Sequence, residues 1–264
     1  QQSFIDKPCQ KIPLMSGVSR GDLKILNLFH EKKFPLDKPD ALEQTPLMEA
    51  ASRGHLPVVK FLLENYENIV NLEDQFAQTA IMGAIFYGHK EVVDCLRIHD
   101  ATLDLGKAIK IAAAGGSLEL LLEFIQEIQE NEQFDWDFDF ETILSIAASR
   151  NHKNIITHFI DTQSNSQNLS KYGRKLLFIA LAKGQMDVME YILKQGLEFN
   201  IQNFNDYQYL IEAAANDHHD VLQYLFNQTW KSAADILSIA KLPFLKIKKG
   251  TNFTLDQYIG SDQM

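Results

Sequence analysis

The chain has 264 residues, 45% hydrophobic and 23% charged, with a formal net charge of -10 and a pI near 5.3. That balance describes a folded chain rather than a disordered one, and so acidic a chain lacks the basic field that phosphate backbones require, which excludes nucleic acid as an expected partner. No run of about 18 apolar residues offers a membrane span, and two cysteines, Cys9 and Cys95, form no disulfide framework and fit a reducing compartment.

Residues 1–11 read as an N-terminal tail. The opening Gln1-Gln2-Ser3-Phe4 is neither an initiator Met nor a signal peptide, as expected of a piece of a longer protein. Beyond the tail the chain repeats itself. Thr45-Pro46-Leu47-Met48-Glu49-Ala50-Ala51-Ser52-Arg53-Gly54-His55, followed by Val58-Val59 and Leu62-Leu63, returns as Thr79-Ala80-Ile81-Met82-Gly83-Ala84-Ile85-Phe86-Tyr87-Gly88-His89, followed by Val92-Val93 and Leu96. With the glycine before the histidine as a phase marker, the equivalent positions are Gly21, Gly54, Gly88, Gly116, Asn151, Gly184 and Asp217, at spacings of 33, 34, 28, 35, 33 and 33. After glycine, Asn and Asp best tolerate a left-handed backbone, so one corner conformation is predicted at all seven.

Four, five and eight residues past each marker the chain is apolar, from Ile25, Leu26 and Phe29 to Val221, Leu222 and Leu225. That is one stripe of an amphipathic helix. A shorter helix precedes each marker and carries small residues, such as Ala50-Ala51, Ala112-Ala113 and Ala147-Ala148, which let paired helices approach closely. Each unit is predicted as helix-turn-helix with a long connection to the next. The spacing of 28 leaves too little chain for a full hairpin around Asp100–Gly106. Residues 134–140 alternate Phe134, Trp136, Phe138, Phe140 with Asp135, Asp137, Asp139, which predicts an extended strand, packed on neighbouring units or open to a partner. Asp161–Lys175 is polar and predicts a longer surface loop. Residues 228–264 read as a capping helix, over Ala233–Lys241 and stopped by Pro243, and a tail.

The pattern resembles the ankyrin-repeat family, on Thr45-Pro46-Leu47, on Ala50-Ala51 with Gly54-His55, and on the period of 33. The resemblance covers residues 12–227, seven diverged units, and implies an all-α solenoid of stacked helix-turn-helix units with short, partly degenerate hairpins. It assigns His55, His89, His152 and His218 to the corner, where the family's histidine hydrogen-bonds to hold the turn. That assignment removes them as metal ligands, since zinc draws its ligands to about 2 Å from one ion. Cys95, on a helix stripe with Val92, Val93 and Leu96, reads as a small apolar filler. No nucleophile elbow, phosphate loop or dinucleotide fingerprint occurs. The expectation is therefore no catalytic residue, no metal, no cofactor and no enzyme.

The family's binding face is built from hairpin tips and exposed positions of each first helix. By that resemblance the candidate partner-binding residues are Glu49, Arg53, Phe76, Phe86, Tyr87, Arg150, Trp136 and Phe140. Aromatic residues and arginine dominate interface hot spots, so Arg53, Phe76, Phe86 and Tyr87 read as one anchor; alternatively Phe86 packs under the shortened hairpin. The expected function is that of a monomeric, cytoplasmic protein-interaction module binding a protein partner on its concave face. Two alternatives stand: the targeting region of a larger enzyme, or a bacterial effector acting in a host cell.

Overall fold

A computed structural model describes residues 8–130, 136–162, 167–197 and 212–229. The described residues are helix, turn and connecting loop, and they divide into two compact units, residues 1–146 and 147–264. In the first unit helices follow in pairs: α1 (Pro8–Arg20) with α2 (Leu23–Glu31), α3 (Pro46–Ser52) with α4 (Leu56–Asn65), α5 (Ala80–Phe86) with α6 (Lys90–Ile98), and α7 (Leu105–Gly115) with α8 (Leu118–Glu130). The first helices stack in order α1, α3, α5, α7, and α4 stacks on α6. α9 (Trp136–Ser149) spans the division between the units. The second unit holds α10 (Lys153–Thr162), α11 (Gln167–Ala182), α12 (Met186–Lys194) and α13 (His219–Thr229), with α11 packed on α12 and α10 on α12.

The predicted apolar stripes are the core. Of the positions four, five and eight past the markers, all are buried except the half-buried Ile25 and Phe29. The small residues let the first helices touch: a Cβ on Gly83 would lie 2.3 Å from Ser52 Oγ, across α3 and α5. Cys95 is buried beside Val92, Val93 and Leu96, and burial pushes its thiol up from the ordinary range. At neutral pH, Cys95 should therefore resist a soluble thiol reagent in the folded chain and react at a free-cysteine rate only in denaturant; fast labelling in buffer would contradict its packing.

All seven markers hold a left-handed backbone, with φ from 59° at Asp217 to 83° at Gly116. The corner histidine acts on the preceding unit's turn rather than on its own. His55 Nε2–H donates to Ser19 O at 2.9 Å, His89 Nε2–H to Ser52 O at 3.0 Å, and His218 Nε2–H to Ala182 O at 3.0 Å. Each acceptor lies two residues before the previous marker. The ring rests on that marker: a Cβ on Gly54 would meet His89 Nδ1 at 2.6 Å, and one on Gly184 would meet His218 Nδ1 at 2.5 Å. Glycine is thus required twice over, by its φ and by the ring above it. Within the second unit Asn151, which carries a Cβ, is followed one repeat later by Gln185 instead of histidine.

Two full connections, residues 32–45 and 66–79, turn back on themselves in the same way. Asp40 Oδ1 accepts from Leu42 N at 2.8 Å and Gln44 N at 3.0 Å, and Asp74 Oδ1 accepts from Phe76 N at 2.8 Å and Gln78 N at 2.9 Å. The fourth residue of each turn, Glu43 and Ala77, takes positive φ. Gln75 N donates to Leu42 O at 3.3 Å and ties the two tips together. Replacing Asp74 by Ala should cost about 2 kcal/mol, the loss of two bonds to a carboxylate that is almost fully buried, and should speed amide exchange first at Phe76 and Gln78. The third connection, residues 99–104, is cut short as expected. Asn71 clips it to the neighbouring tip, donating to Asp100 O at 3.0 Å and accepting from Thr102 N at 2.7 Å.

Two sequence expectations fail. Residues 136–140 are helix, not strand, because Phe140 continues the helical spacing of Ile143, Leu144, Ala147 and Ala148, and burying that one stripe outweighs a period-two pattern with no strand to pair with. The surface loop over Asp161–Lys175 is mostly helix, because Tyr172, Leu176, Leu177, Ala180 and Leu181 form a buried face that carries α11 back to Gln167. α10 and α12 are tied by Tyr191 Oη, which donates to Asp161 Oδ1 at 2.5 Å; burial, and then this bond, push the phenol well above its ordinary range. α1 begins at Pro8, four residues ahead of residue 12. Phe134 and Asp135, residues 163–166, Ala233–Lys241 and the C-terminal tail lie outside the described residues.

Candidate functional site

Exposed apolar side chains of the first unit lie on the hairpin tips, at the C-terminal end of a first helix and on the second helices, where Leu28 is 56% and Ile98 79% exposed. Phe76, at the tip held by Asp74, is 69% exposed, and Leu42, at the same place in the tip held by Asp40, is 48% exposed. Leu72 flanks the second tip and is partly exposed. A tip is held by backbone bonds to its own aspartate, so the side chain at its apex is left largely to solvent. Leu42 and Leu72 were missed as candidates. The signal for Leu42 was its register with Phe76, two residues after the turn aspartate.

Tyr87 is 61% exposed at the end of α5. Its ring lies edge-on to Phe86, with centroids 5.0 Å apart, and stacks on His89 at 6.4 Å. Because His89 bonds Ser52 O, Tyr87 is held beside the end of α3 that carries Arg53. Phe86 is half-buried. Its backbone explains why: a Cβ on Gly115 would lie 1.8 Å from Phe86 O and 2.7 Å from Phe86 C, so the end of α7 touches α5 at this residue. Phe86 is thus held at its backbone by α7 while its ring lies against Tyr87.

Arg53 is exposed, and its Nε donates to Glu49 Oε1 at 3.1 Å. The same Glu49 oxygen accepts from Ser19 Oγ at 2.5 Å, one unit earlier. Glu49 is thus engaged within the fold and orients Arg53 rather than standing open. Phe140, taken as a hairpin-tip residue, is a correction: it lies inside α9 and is 7% exposed. Trp136 opens α9, and its side chain lies outside the described residues. Arg150 is exposed in the second unit, at the end of α9's turn. The structure therefore brings Glu49, Arg53, Phe86 and Tyr87 together, sets Phe76 with Leu42 on the tips, and separates Phe140 from both.

Among the described residues no group of three or more His, Cys, Asp and Glu side chains is gathered as a metal ion needs, and no helix is long and apolar enough to cross a membrane. Apposed charges lie instead on the second helices, where Lys90 pairs with Glu119 and Glu123 and Arg97 Nη2 donates to both Glu127 oxygens at 2.8 and 3.0 Å. The hydrogen bond to Glu123 holds the partly exposed Lys90 ammonium above its ordinary range. Solvent screens such surface pairs, so they add little to stability.

A family model described as ankyrin repeats (3 copies) matches residues 14–106 and 109–203. An L-asparaginase of Dirofilaria immitis is 27% identical over 165 residues, 60% of this chain and 27% of that protein. The ankyrin repeat and KH domain-containing protein mask-1 of Caenorhabditis elegans is 26% identical over 218 residues, 81% of this chain and 8% of that protein. A probable E3 ubiquitin-protein ligase of Oryza sativa subsp. japonica, XBOS32, is 40% identical over 116 residues, 41% of this chain and 23% of that protein. The chain thus spans about a quarter or less of these relatives. The human ASB11 ankyrin repeat domain superposes on 84% of this chain and 99% of its own length, with a TM-score of 0.54 at 19% identity.

Proposed function

The chain belongs to the ankyrin-repeat family, whose repeats are generally protein-protein interaction modules, and from that premise we propose that it binds a protein partner through the tips and first-helix ends of residues 1–146. The observation that carries this reading is the exposure of Phe76, Tyr87 and Leu42 on elements that are themselves rigidly bonded. Aromatic side chains with two rotatable bonds, fixed at their base, lose little entropy on binding and supply most of an interface's energy. Arg53, held by Glu49, adds an oriented cation at the same helix end.

A pull-down with the parent chain and with Phe76→Ala/Tyr87→Ala tests the reading. Both side chains are exposed, so circular dichroism of the variant should match the parent. A partner held by the parent should be lost by the variant, with an affinity fall of at least about thirtyfold, if each side chain contributes about 1 kcal/mol or more. A partner retained at full strength by the variant moves the site away from these tips.

A second reading has its own support. The relatives include proteins named as an asparaginase and as a ubiquitin ligase, and this chain spans only a fraction of each. In that reading the repeats are the targeting region of a larger protein, and the bound partner is its substrate or regulator. The free, buried thiol of Cys95 fits a cytoplasmic setting for either.

A further inference from the structure

The row of full tips ends at the one held by Asp74. Gln75 N donates to Leu42 O at 3.3 Å, so this tip covers one side of the tip before it. Phe76 O is the same place one unit later, and a third full tip would donate to it there. The connection at residues 99–104 is too short to build that tip. It reaches its neighbour only through Asn71, by the bonds to Asp100 O and Thr102 N. Phe76 O meets the exposed side chain of Gln78 at 3.2 Å and, among the described residues, no backbone N–H. The exposures follow this order: 48% at Leu42, which has a tip beside it, and 69% at Phe76, which has none. Leu72, on the same connection, is also exposed. An aromatic ring and an open main-chain acceptor thus lie together at the end of the row.

Their surroundings are acidic. From Phe61 to His89 the chain holds Glu64, Glu67, Glu73 and Asp74 and no Lys or Arg. Glu73, just before the tip aspartate, is exposed, and so is Asp100, on the connection that Asn71 clips alongside. Among the described residues neither carboxylate lies within ion-pair distance of a cation. Asp104 is exposed too and holds only the amide of Lys107, at 3.1 Å. Most of the nearby bases are engaged: Arg53 with Glu49, and Lys90 and Arg97 with the acids of α8. Lys107 and Lys110 on α7 offset part of the negative charge and leave an excess of it. An apolar apex in such a field repels acidic segments and favours apolar side chains flanked by cations. The open face of the Phe76 ring attracts a Lys or Arg head group as well.

We propose that the partner lays a basic, extended segment along the open side of this tip. An apolar side chain of that segment rests against Phe76 and Leu72, its Lys or Arg neighbours lie beside Glu73 and Asp100, and a backbone N–H donates to Phe76 O in place of the missing tip. This names the chemistry of the partner that the tips bind, and it rests on the tips being the binding face.

The probe is a fluorescein-labelled nonapeptide, Gly-Lys-Leu-Lys-Gly-Lys-Leu-Lys-Gly, with two controls that carry Glu for Lys or Ser for Leu. Anisotropy is read with the full chain at about 0.15 M salt, where screening keeps the comparison to short range. The Lys–Leu peptide should bind at least about tenfold more tightly than either control. Glu73→Gln/Asp100→Asn should weaken it about tenfold, and Asn tolerates the positive φ of Asp100, so circular dichroism should not change. Glu31→Gln/Glu91→Gln removes the same charge from exposed positions on α2 and α6 and should weaken binding less than about twofold. Equal weakening by the two pairs, or equal affinity for the Lys and Glu peptides, absent binding included, would overturn the proposal. So would binding of the Lys–Leu peptide that is indifferent to Phe76→Ala. A pull-down partner lost on Phe76→Ala/Tyr87→Ala but kept at full strength by Glu73→Gln/Asp100→Asn would leave the tips as the binding face and overturn the basic segment alone.

Discussion

Gly115→Ala should destabilise residues 1–146 by more than about 3 kcal/mol, although alanine is the better helix former by about 1 kcal/mol. Gly115 ends α7, and helix propensity alone would make the change favourable. The sign is reversed by what the new methyl meets. It would lie 1.8 Å from Phe86 O, 2.7 Å from Phe86 C and 3.0 Å from Phe86 Cα. All three are backbone atoms of α5, so no side chain can rotate away, and α5 and α7 must separate along their contact. Overpacking a side chain costs about 1–3 kcal/mol, and a clash with backbone belongs at or above the top of that range. Separation would also withdraw Ala84, Ala112 and Ala113 from fully buried positions. Urea unfolding followed by hydrogen exchange checks this. Protection should fall first in α5 and α7, and the aromatic pair at Phe86 and Tyr87 should lose its fixed edge-on geometry. A midpoint equal to or above the parent's would show that the helices part without cost.

The second large effect concerns the histidine corner. Gly54→Ala should cost about 3 kcal/mol, whereas Gly88→Ala should cost about 1–2 kcal/mol, the strain of a non-glycine left-handed residue alone. The two positions share a conformation, φ 73° and 75°. They differ in what rests on them. A Cβ at Gly54 meets three His89 ring atoms at 2.6–2.9 Å, whereas a Cβ at Gly88 meets Ser117 Oγ at 3.3 Å, a tight contact that a small shift of the rotatable hydroxyl relieves. The ring would have to leave, and its bond to Ser52 O, worth about 1 kcal/mol, would go with it. The rescue isolates the cause: in a Gly54→Ala background, His89→Ala should cost much less than in the parent. Additive costs in that double-mutant cycle would mean the ring and the glycine act independently. Because stacked repeats are held by nearest neighbours, exchange should rise around α3 to α6 before it rises in α11 and α12; uniform loss across both units would contradict that picture.

The repeat could be read because its signals are local and periodic. One stripe at four, five and eight past a marker is a statement about one helix, and burial followed it at all but Ile25 and Phe29. Seven left-handed corners could be read from Gly, Asn and Asp alone, because the cost of a positive φ falls on the residue that adopts it. The short connection at residues 99–104 could be read because a spacing of 28 has no chain to build a hairpin. Where two periods competed the reading failed: Phe140 satisfied both a strand and a helix pattern, and only the buried face shared with Ile143 and Leu144 decided between them.

The candidate site was legible in kind and not in detail. Phe76 and Tyr87 stood out as aromatics at positions a turn and a helix end leave open, and their exposure follows from those places. That Glu49 is occupied by Ser19, and that Phe86 is pinned by Gly115, are facts about neighbours a whole repeat away in sequence. Local conformation and burial periodicity depend on adjacent residues and are written in the sequence itself. Which side chains share a hydrogen bond, and which surface stays uncovered, depends on how one unit lies on the next, and that only the packed structure decides.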